Sequence, residues 1–267
     1  MELSLGFPAV AASLALVAIV IGISRWKRLG LERDVLVASV RAGAQLLFVG
    51  LIFATIFSSN LAMLWAWLWI GLMLLMASAV IVRRAQAIPN LFPTSLVAMT
   101  GTTGIVLAVV FGFRVLDFEP VELIVISGIT IGNTLPSVVL GANRMSETLR
   151  ADYGQVEALL ALGVNGTAST HHLETQVLKS ALTPQIERTK VVGLIALPGA
   201  MTGLLLAGVA PVDAVILQLI VMLLVLGSVA TSVVVMTRHV ARHGLTADLR
   251  IASWVRLSAE SATAQAS

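Results

Sequence analysis

Few residues of this chain have side chains suited to chemistry, and fewer still are spaced for it. Cysteine is absent from all 267 residues. That removes disulfides, thiolate metal sites, iron–sulfur clusters and cysteine nucleophiles together. None of the three lysines, Lys27, Lys179 and Lys190, follows a glycine, so the chain has no GxxxxGK[ST] loop to cradle the phosphates of ATP. His171-His172-Leu173-Glu174 lacks the HExxH spacing, and no GxSxG elbow occurs. The spacing therefore predicts no catalytic residue, no cofactor site and no enzyme within the chain, and it assigns no metal ligands. His239 and His243 are spaced to share a helix face and are read as part of a solvated basic tail. Met73, Met76, Met99 and Met201 are read as core filler.

The polar side chains that remain stand inside apolar runs. Gln45, Asn133 and Gln218 are the clearest of them. Polar groups in lipid face the interior of a bundle, where they either line a path or bond neighbouring helices. Pro198 stands in another apolar run among Gly193, Gly199, Gly203 and Gly208. Proline there removes a helix hydrogen bond and bends the helix, and the glycines serve either a gate or close helix packing. Gly128, Gly132 and Pro136 repeat the pattern in the preceding run. Thr94, Ser95, Thr100, Thr102 and Thr103 give the fourth run a hydroxyl-rich stretch, whose hydroxyls can satisfy helix carbonyls.

The elements that must hold these residues follow from composition. Hydrophobic residues make up 58% and charged residues 12%, against about 25% charge in soluble chains. Such a chain cannot coat a water-facing surface, which excludes a soluble enzyme and a disordered chain. Apolar runs long enough to span lipid lie at 5–24, 36–57, 61–82, 94–113, 120–140, 191–209 and 212–236. Their length suits helices and not barrel strands. The fold class expected is all-α: a polytopic integral membrane bundle of about seven transmembrane helices. A single transmembrane domain covers 1–240, with a helical segment at 141–190, and a tail covers 241–267.

Charge sets the expected orientation. The start carries Glu2 and no basic residue, while Arg25, Lys27, Arg28 and Arg33 follow the first run. That is an N-terminus-outside anchor and not a cleaved leader. With the C-terminus cytoplasmic, every basic residue except Arg114 falls on the inner side. The +3 formal charge thus speaks to topology and not to nucleic acid. The middles of the runs lack Asp, Glu, Lys and His, so an ion-coupled pump is disfavoured. Energy for uphill movement would enter from a cytoplasmic partner.

Residues 141–190 form the one long polar segment. The apolar positions predict a helix over 144–162, capped by Gly163, and a turn at Asn165-Gly166. A second helix is expected over 169–182, with Thr183-Pro184 restarting the chain as cap and first turn of the next helix. Its basic and acidic residues balance, and a folded hairpin of this kind suits docking by another protein.

Glu157-Ala158-Leu159-Leu160-Ala161-Leu162-Gly163 resembles the EAA…G coupling signature of ATP-binding-cassette importer permeases. Arg41-Ala42-Gly43-Ala44-Gln45-Leu46-Leu47-Phe48-Val49-Gly50 resembles an RGxxQLLxxG run, and Gly128-Ile129-Thr130-Ile131-Gly132-Asn133 a GMxIGN run. The stretch from Val191 through Leu197-Pro198-Gly199-Ala200-Met201-Thr202-Gly203 resembles VVGLVSLPGMMTG. In this order the motifs resemble the FetB-like iron-export ABC permeases, whose plant relatives are tied to aluminium tolerance. The chain departs from relatives at Ala200, Leu204, Thr134, Leu135 and Pro136, which removes a thioether and two amides. The resemblance implies a multi-pass permease of the inner (cytoplasmic) membrane. It would work as a homodimer with two separate ATP-binding subunits and export a metal ion such as iron. Glu157, Ala158 and Gly163 would couple to the ATPase. Arg41, Gln45, Asn133, Pro198, Gly199, Met201 and Thr202 would form the pathway or its gate. An ATPase-independent carrier or channel for a small solute is the alternative.

Overall fold

The computed structural model describes residues 7–85, 88–246 and 248–256. The first two residues of the first expected span, and the tail beyond residue 256, lie outside them. The described residues are helical almost throughout, in the order α1 (Phe7–Trp26), α2 (Glu32–Phe57), α3 (Ala62–Arg84), α4 (Leu91–Gly112), α5 (Pro120–Ala151), α6 (Tyr153–Ala161), α7 (Gly166–Val191), α8 (Gly199–Leu206) and α9 (Pro211–His243). Among them α2, α3, α4, α5 and α9 are long and apolar enough to cross a membrane. The protein is a multi-pass membrane protein of helices, as the apolar runs predict.

The chain divides into two compact units, the first ending at Ala62. In the first, α1 and α2 pack as a hairpin. Ser24 organises its turn: the hydroxyl donates to Glu32 Oε1 at 2.9 Å and accepts from the Leu31 N–H at 3.1 Å. Gly30 supplies the left-handed residue the tight return needs, at φ 71°.

The second unit is built on α5 and α9, of 32 and 33 residues. At 1.5 Å per residue each runs about 48–50 Å, well beyond the roughly 30 Å of a hydrocarbon core. They pack on each other along their length, with α4 against α9 and α7 against both. Small and hydroxylated residues let them approach. Thr134 donates to Ser228 at 3.3 Å, and Ser232 to Thr102 at 2.7 Å, all four buried. The fourth run's hydroxyls are thus largely packing groups: Ser95 donates to its own helix at Leu91 O. Where α5, α7 and α9 meet, a Cβ on Gly141 would stand 3.1 Å from Val233 Cγ1 and 3.3 Å from Thr237 Oγ1. Glycine is what allows three helices to converge there.

Three expectations change. The run at 191–209 is not one bent helix. Helix α7 ends at Val191, a turn closed by Gly193 (φ 89°) follows, and α8 has only 8 residues. Pro198 caps α8 in extended conformation (φ −65°, ψ 145°) instead of bending a helix. Its ring disfavours helical backbone at Leu197, so the chain stays extended up to the proline. At about 12 Å, α8 cannot cross the bilayer core alone. Next, Thr183-Pro184 restarts nothing, because α7 is continuous through Pro184. Leu173, Val177 and Ala181 before the proline and Gln185 after it are buried on one face. Packing along that face outweighs the single bond the proline removes. Finally, the helix expected over 144–162 is two. Helix α5 runs on to Ala151 and α6 begins at Tyr153, with Asp152 between them at φ −109°. Pro136 also lies inside continuous helix, in α5.

The other caps match the sequence. Asn165 Oδ1 accepts from the Ala168 N–H at 2.8 Å to start α7. Gly163, at φ 85°, ends α6, with the Val164 N–H bonded to Leu159 O at 3.0 Å.

A candidate solute passage

The break between α7 and α8 leaves space that a continuous helix would fill. Two adjoining cavities occupy it, of about 330 and 390 Å³, walled by α5, α8 and α9, and the first also by the end of α7 and the turn after it. Both are lined by Ile129, Ala200, Gln218 and Val221, so they meet at Gln218. On α5, Glu122, Ile126, Ile129 and Asn133 repeat at helical spacing and share the face that lines the space. Glu122 lies in the wall of one cavity and Asn133 in that of the other, about 16 Å apart along the axis.

The cavity nearer the break holds most of the polar groups. Arg188, from the last turn of α7, donates from Nη1 to Asn133 Oδ1 at 3.0 Å. The Asn133 amide in turn donates to Ile129 O at 2.8 Å. Gln185, one turn before Arg188, and Gln218 of α9 are each only 6% exposed. Gln218 Oε1 has no hydrogen-bond partner, and Glu122 Oε2 in the second cavity has none either. Buried polar groups are normally paired. Both unpartnered atoms are acceptor oxygens, and both residues border the same apolar-walled space.

Of the pathway residues expected from sequence, Asn133, Pro198 and Gly199 meet at this cavity. Met201 and Thr202 are half-buried on α8 but line neither cavity. Thr202 donates to Pro198 O at 3.1 Å and stabilises its own first turn. Arg41 and Gln45 belong to the first unit, one turn apart on α2, and both are exposed. Sequence reasoning missed Arg188 and Gln185 as members of the site. Their spacing of three residues just before the glycine–proline break was the available signal.

The residues expected to couple lie at the other end of α7. In α6, Val156 is fully buried and anchors the helix, whereas Ala158, and Leu162 just past its end, are exposed. Glu157 is tied to Arg256 at 2.8 Å. The segment carrying Arg256 is pinned by a Trp254 Nε1 bond to His243 O at 3.0 Å and by buried Ile251, Ala252 and Val255. His239 is not in a solvated tail. Thr94 Oγ1 lies 2.9 Å from its Nδ1, and the His243 ring stacks on it at 3.8 Å. Burial, and then the neighbouring His243, hold its pKa down from 6.5 to about 4, so it stays neutral. Among the described residues no three His, Cys, Asp or Glu come together as a metal-binding group.

Residues 7–245 match the model of a family described as "Uncharacterised protein family (UPF0014)". The chain is 33% identical over 238 residues to the "UPF0014 membrane protein STAR2" of Oryza sativa subsp. japonica, covering 88% of this chain and 82% of that one. It is 32% identical to the "Probable iron export permease protein FetB" of Escherichia coli (strain K12), covering 85% and 87%. It is 28% identical to "Protein ALUMINUM SENSITIVE 3" of Arabidopsis thaliana, covering 86% and 83%. No solved structure matches.

Proposed function

This chain belongs to the UPF0014 family, and from that premise we propose that it is the membrane subunit of an ATP-binding-cassette transporter. It exports a metal ion such as iron across the cytoplasmic membrane, as a homodimer driven by ATP hydrolysis on a separate partner subunit. The chain itself catalyses nothing. Its N-terminus is outside and its basic ends are cytoplasmic, in keeping with the one-sided distribution of Arg and Lys.

One observation carries the reading. Helix α7 runs unbroken from Gly166, just after the turn that ends α6, to Arg188 at the cavity, about 33 Å away. Helix α6 carries the EAA-like residues Glu157 and Ala158, and Gly163 stands in the turn that follows it. The helix stands at one end of this rod, and the polar contact with Asn133 stands at the other. A push on α6 therefore crosses one short turn and then reaches the Arg188–Asn133 bond along a single helix. Ala158 on α6 and Leu162 just after it are exposed and give an ATPase groove an apolar ridge, with Val156 holding the helix from behind. Motion there opens or closes the two cavities in turn, which is alternating access.

The test is co-purification from membranes with an ATP-binding-cassette subunit, followed by metal-stimulated ATP hydrolysis. A Leu162→Asp variant is expected to lose the partner while remaining folded. Transport by the lone chain in proteoliposomes, unaffected by ATP, would overturn the proposal in favour of a carrier or channel.

A further inference from the structure

The cavity at the α7–α8 break has a sign. Arg188 is the charged side chain in its wall, and no carboxylate joins it there. The nearest acid on α7, Glu187, is held by Lys190 at 2.8 Å. A guanidinium has five donors, and Asn133 takes one of Arg188's. The same wall carries Pro198, Gly199 and Ala200, the start of α8. The first intrahelical bond there runs from the Thr202 N–H to Pro198 O, so the N–H groups of Gly199, Ala200 and Met201 have no carbonyl in their own helix. Gln218, 6% exposed, borders the same space, and its amide carries N–H donors as well as an acceptor oxygen.

Opposing terms do not cancel this. The C-terminal end of α7 also borders the cavity, and its partial negative charge offsets that of the α8 N-terminus. Its Val191 carbonyl is already engaged by the N–H groups of Ile195 and Ala196 at 3.1 and 3.3 Å. The full charge of Arg188 is left over. A bare metal cation would meet a guanidinium and two or three amides, with no anionic ligand. A carboxylate or phosphate oxygen would meet a fork of donors, free helix N–H groups and amide side chains.

We propose that this cavity binds an anionic oxygen group, a carboxylate or phosphate, carried by the transported solute. A metal using this route then moves as an anionic complex and not as a bare cation. This deepens the transporter reading and rests on it. Gln218 hands the solute toward the second cavity, where Glu122 reverses the sign of the wall and disfavours retention of the anion.

The full chain, purified in neutral detergent without any ATPase, is titrated with citrate, ferric citrate, inorganic phosphate and ferrous ion alone, by calorimetry and thermal unfolding. Citrate and phosphate are expected to bind and to raise the unfolding midpoint, with affinity falling as salt rises. Arg188→Gln should weaken citrate about tenfold or more, the loss of a charge-assisted fork. Arg188→Lys, which keeps the charge without the fork, should bind with intermediate affinity and guards against a Gln variant that fails to fold. Nanodiscs of phosphatidylglycerol against phosphatidylcholine separate the sources of the oxygen. Competition by phosphatidylglycerol that depends on Arg188 identifies a lipid headgroup as the anion and overturns the solute assignment. Citrate binding that is equal in wild type and both variants overturns the site, as does tight binding of ferrous ion alone that survives Arg188→Gln. Because no ATPase is present, these failures leave the co-purification test of the transporter reading untouched.

Discussion

The same two helices, α5 and α9, behave differently in their two halves. From Thr134 and Ser228 toward Ala151 and Ala241 they are sealed by small residues, with α7 laid into the junction at Gly141. From Pro120 to Asn133 and from Ala214 to Val225 they stand beside a short helix and a turn, and cavities of 330 and 390 Å³ remain. The sequence chemistry explains the contrast. The sealed half has Gly141, Ala142, Ser146, Ser232 and Ala241, which bring backbones together. The open half pairs bulky aliphatics with the α7–α8 break, so no continuous helix fills the gap. Close packing and a polar vacancy are two uses of one helix pair.

Gly141→Leu is the sharpest way to break the sealed half. The Cβ alone would stand 3.1 Å from Val233 Cγ1, and the fully buried Val233, Thr237 and Ala181 crowd anything larger. A loss of about 3 kcal/mol or more is expected, seen as a collapsed unfolding midpoint and low yield. In the open half, Gln218→Leu should do the reverse. Removing an unpaired buried amide changes stability by about 1 kcal/mol or less, in either direction, while transport falls. If Gln218→Leu destabilises as much as Gly141→Leu, the two halves do not differ as described.

Acid tests the sealed half at its far end, beyond the predicted span. His239 stays neutral down to about 4 when folded but takes a proton at about 6.5 when unfolded. The unfolded chain therefore binds more protons across that window, and folded stability falls as pH drops from 6.5 toward 4. His239→Gln should flatten that part of the profile, read from unfolding midpoints at a series of pH values. The smallest effect expected is from Arg256→Ala. The pair with Glu157 is half-exposed and contributes about 0–1 kcal/mol. Stability should hardly move, whereas ATPase activation, if α6 is the coupling helix, should drop.

How much of this the sequence disclosed follows from what hydropathy can register. The long spans were legible as apolar runs. Gly163 and Asn165 were legible as caps, because each acts on its immediate neighbours. The break after Val191 was not, since Val192, Leu194, Ile195 and Leu197 are as apolar as any helix. Only Gly193 and Pro198 hinted at it. Pro184 misled in the opposite sense, because the packing that keeps α7 whole comes from α5 and α9. Asn133 was legible as a polar residue in lipid, but its partner Arg188 lies 55 residues away and looked like one more cytoplasmic charge. The short helix at 199–206 separates Met201 and Thr202 from the cavity, though they sit in the same motif as Pro198.

Pro136 lies three residues after Asn133 in α5, and Pro184 four residues before Arg188 in α7. Each proline leaves one helix carbonyl unbonded, and both fall about one turn to the same side of the Arg188–Asn133 contact. Helix α9 has no proline after its first turn. In mechanical terms α9 is a stiff mast and α5 an arm jointed near Pro136, while packing keeps α7 continuous through Pro184. The arm of α5 from Gly132 to Pro120 is about 18 Å long. A bend of about 15° at the elbow swings its tip by about 5 Å, roughly the breadth of a small carboxylate, while the sealed half below stays as it is.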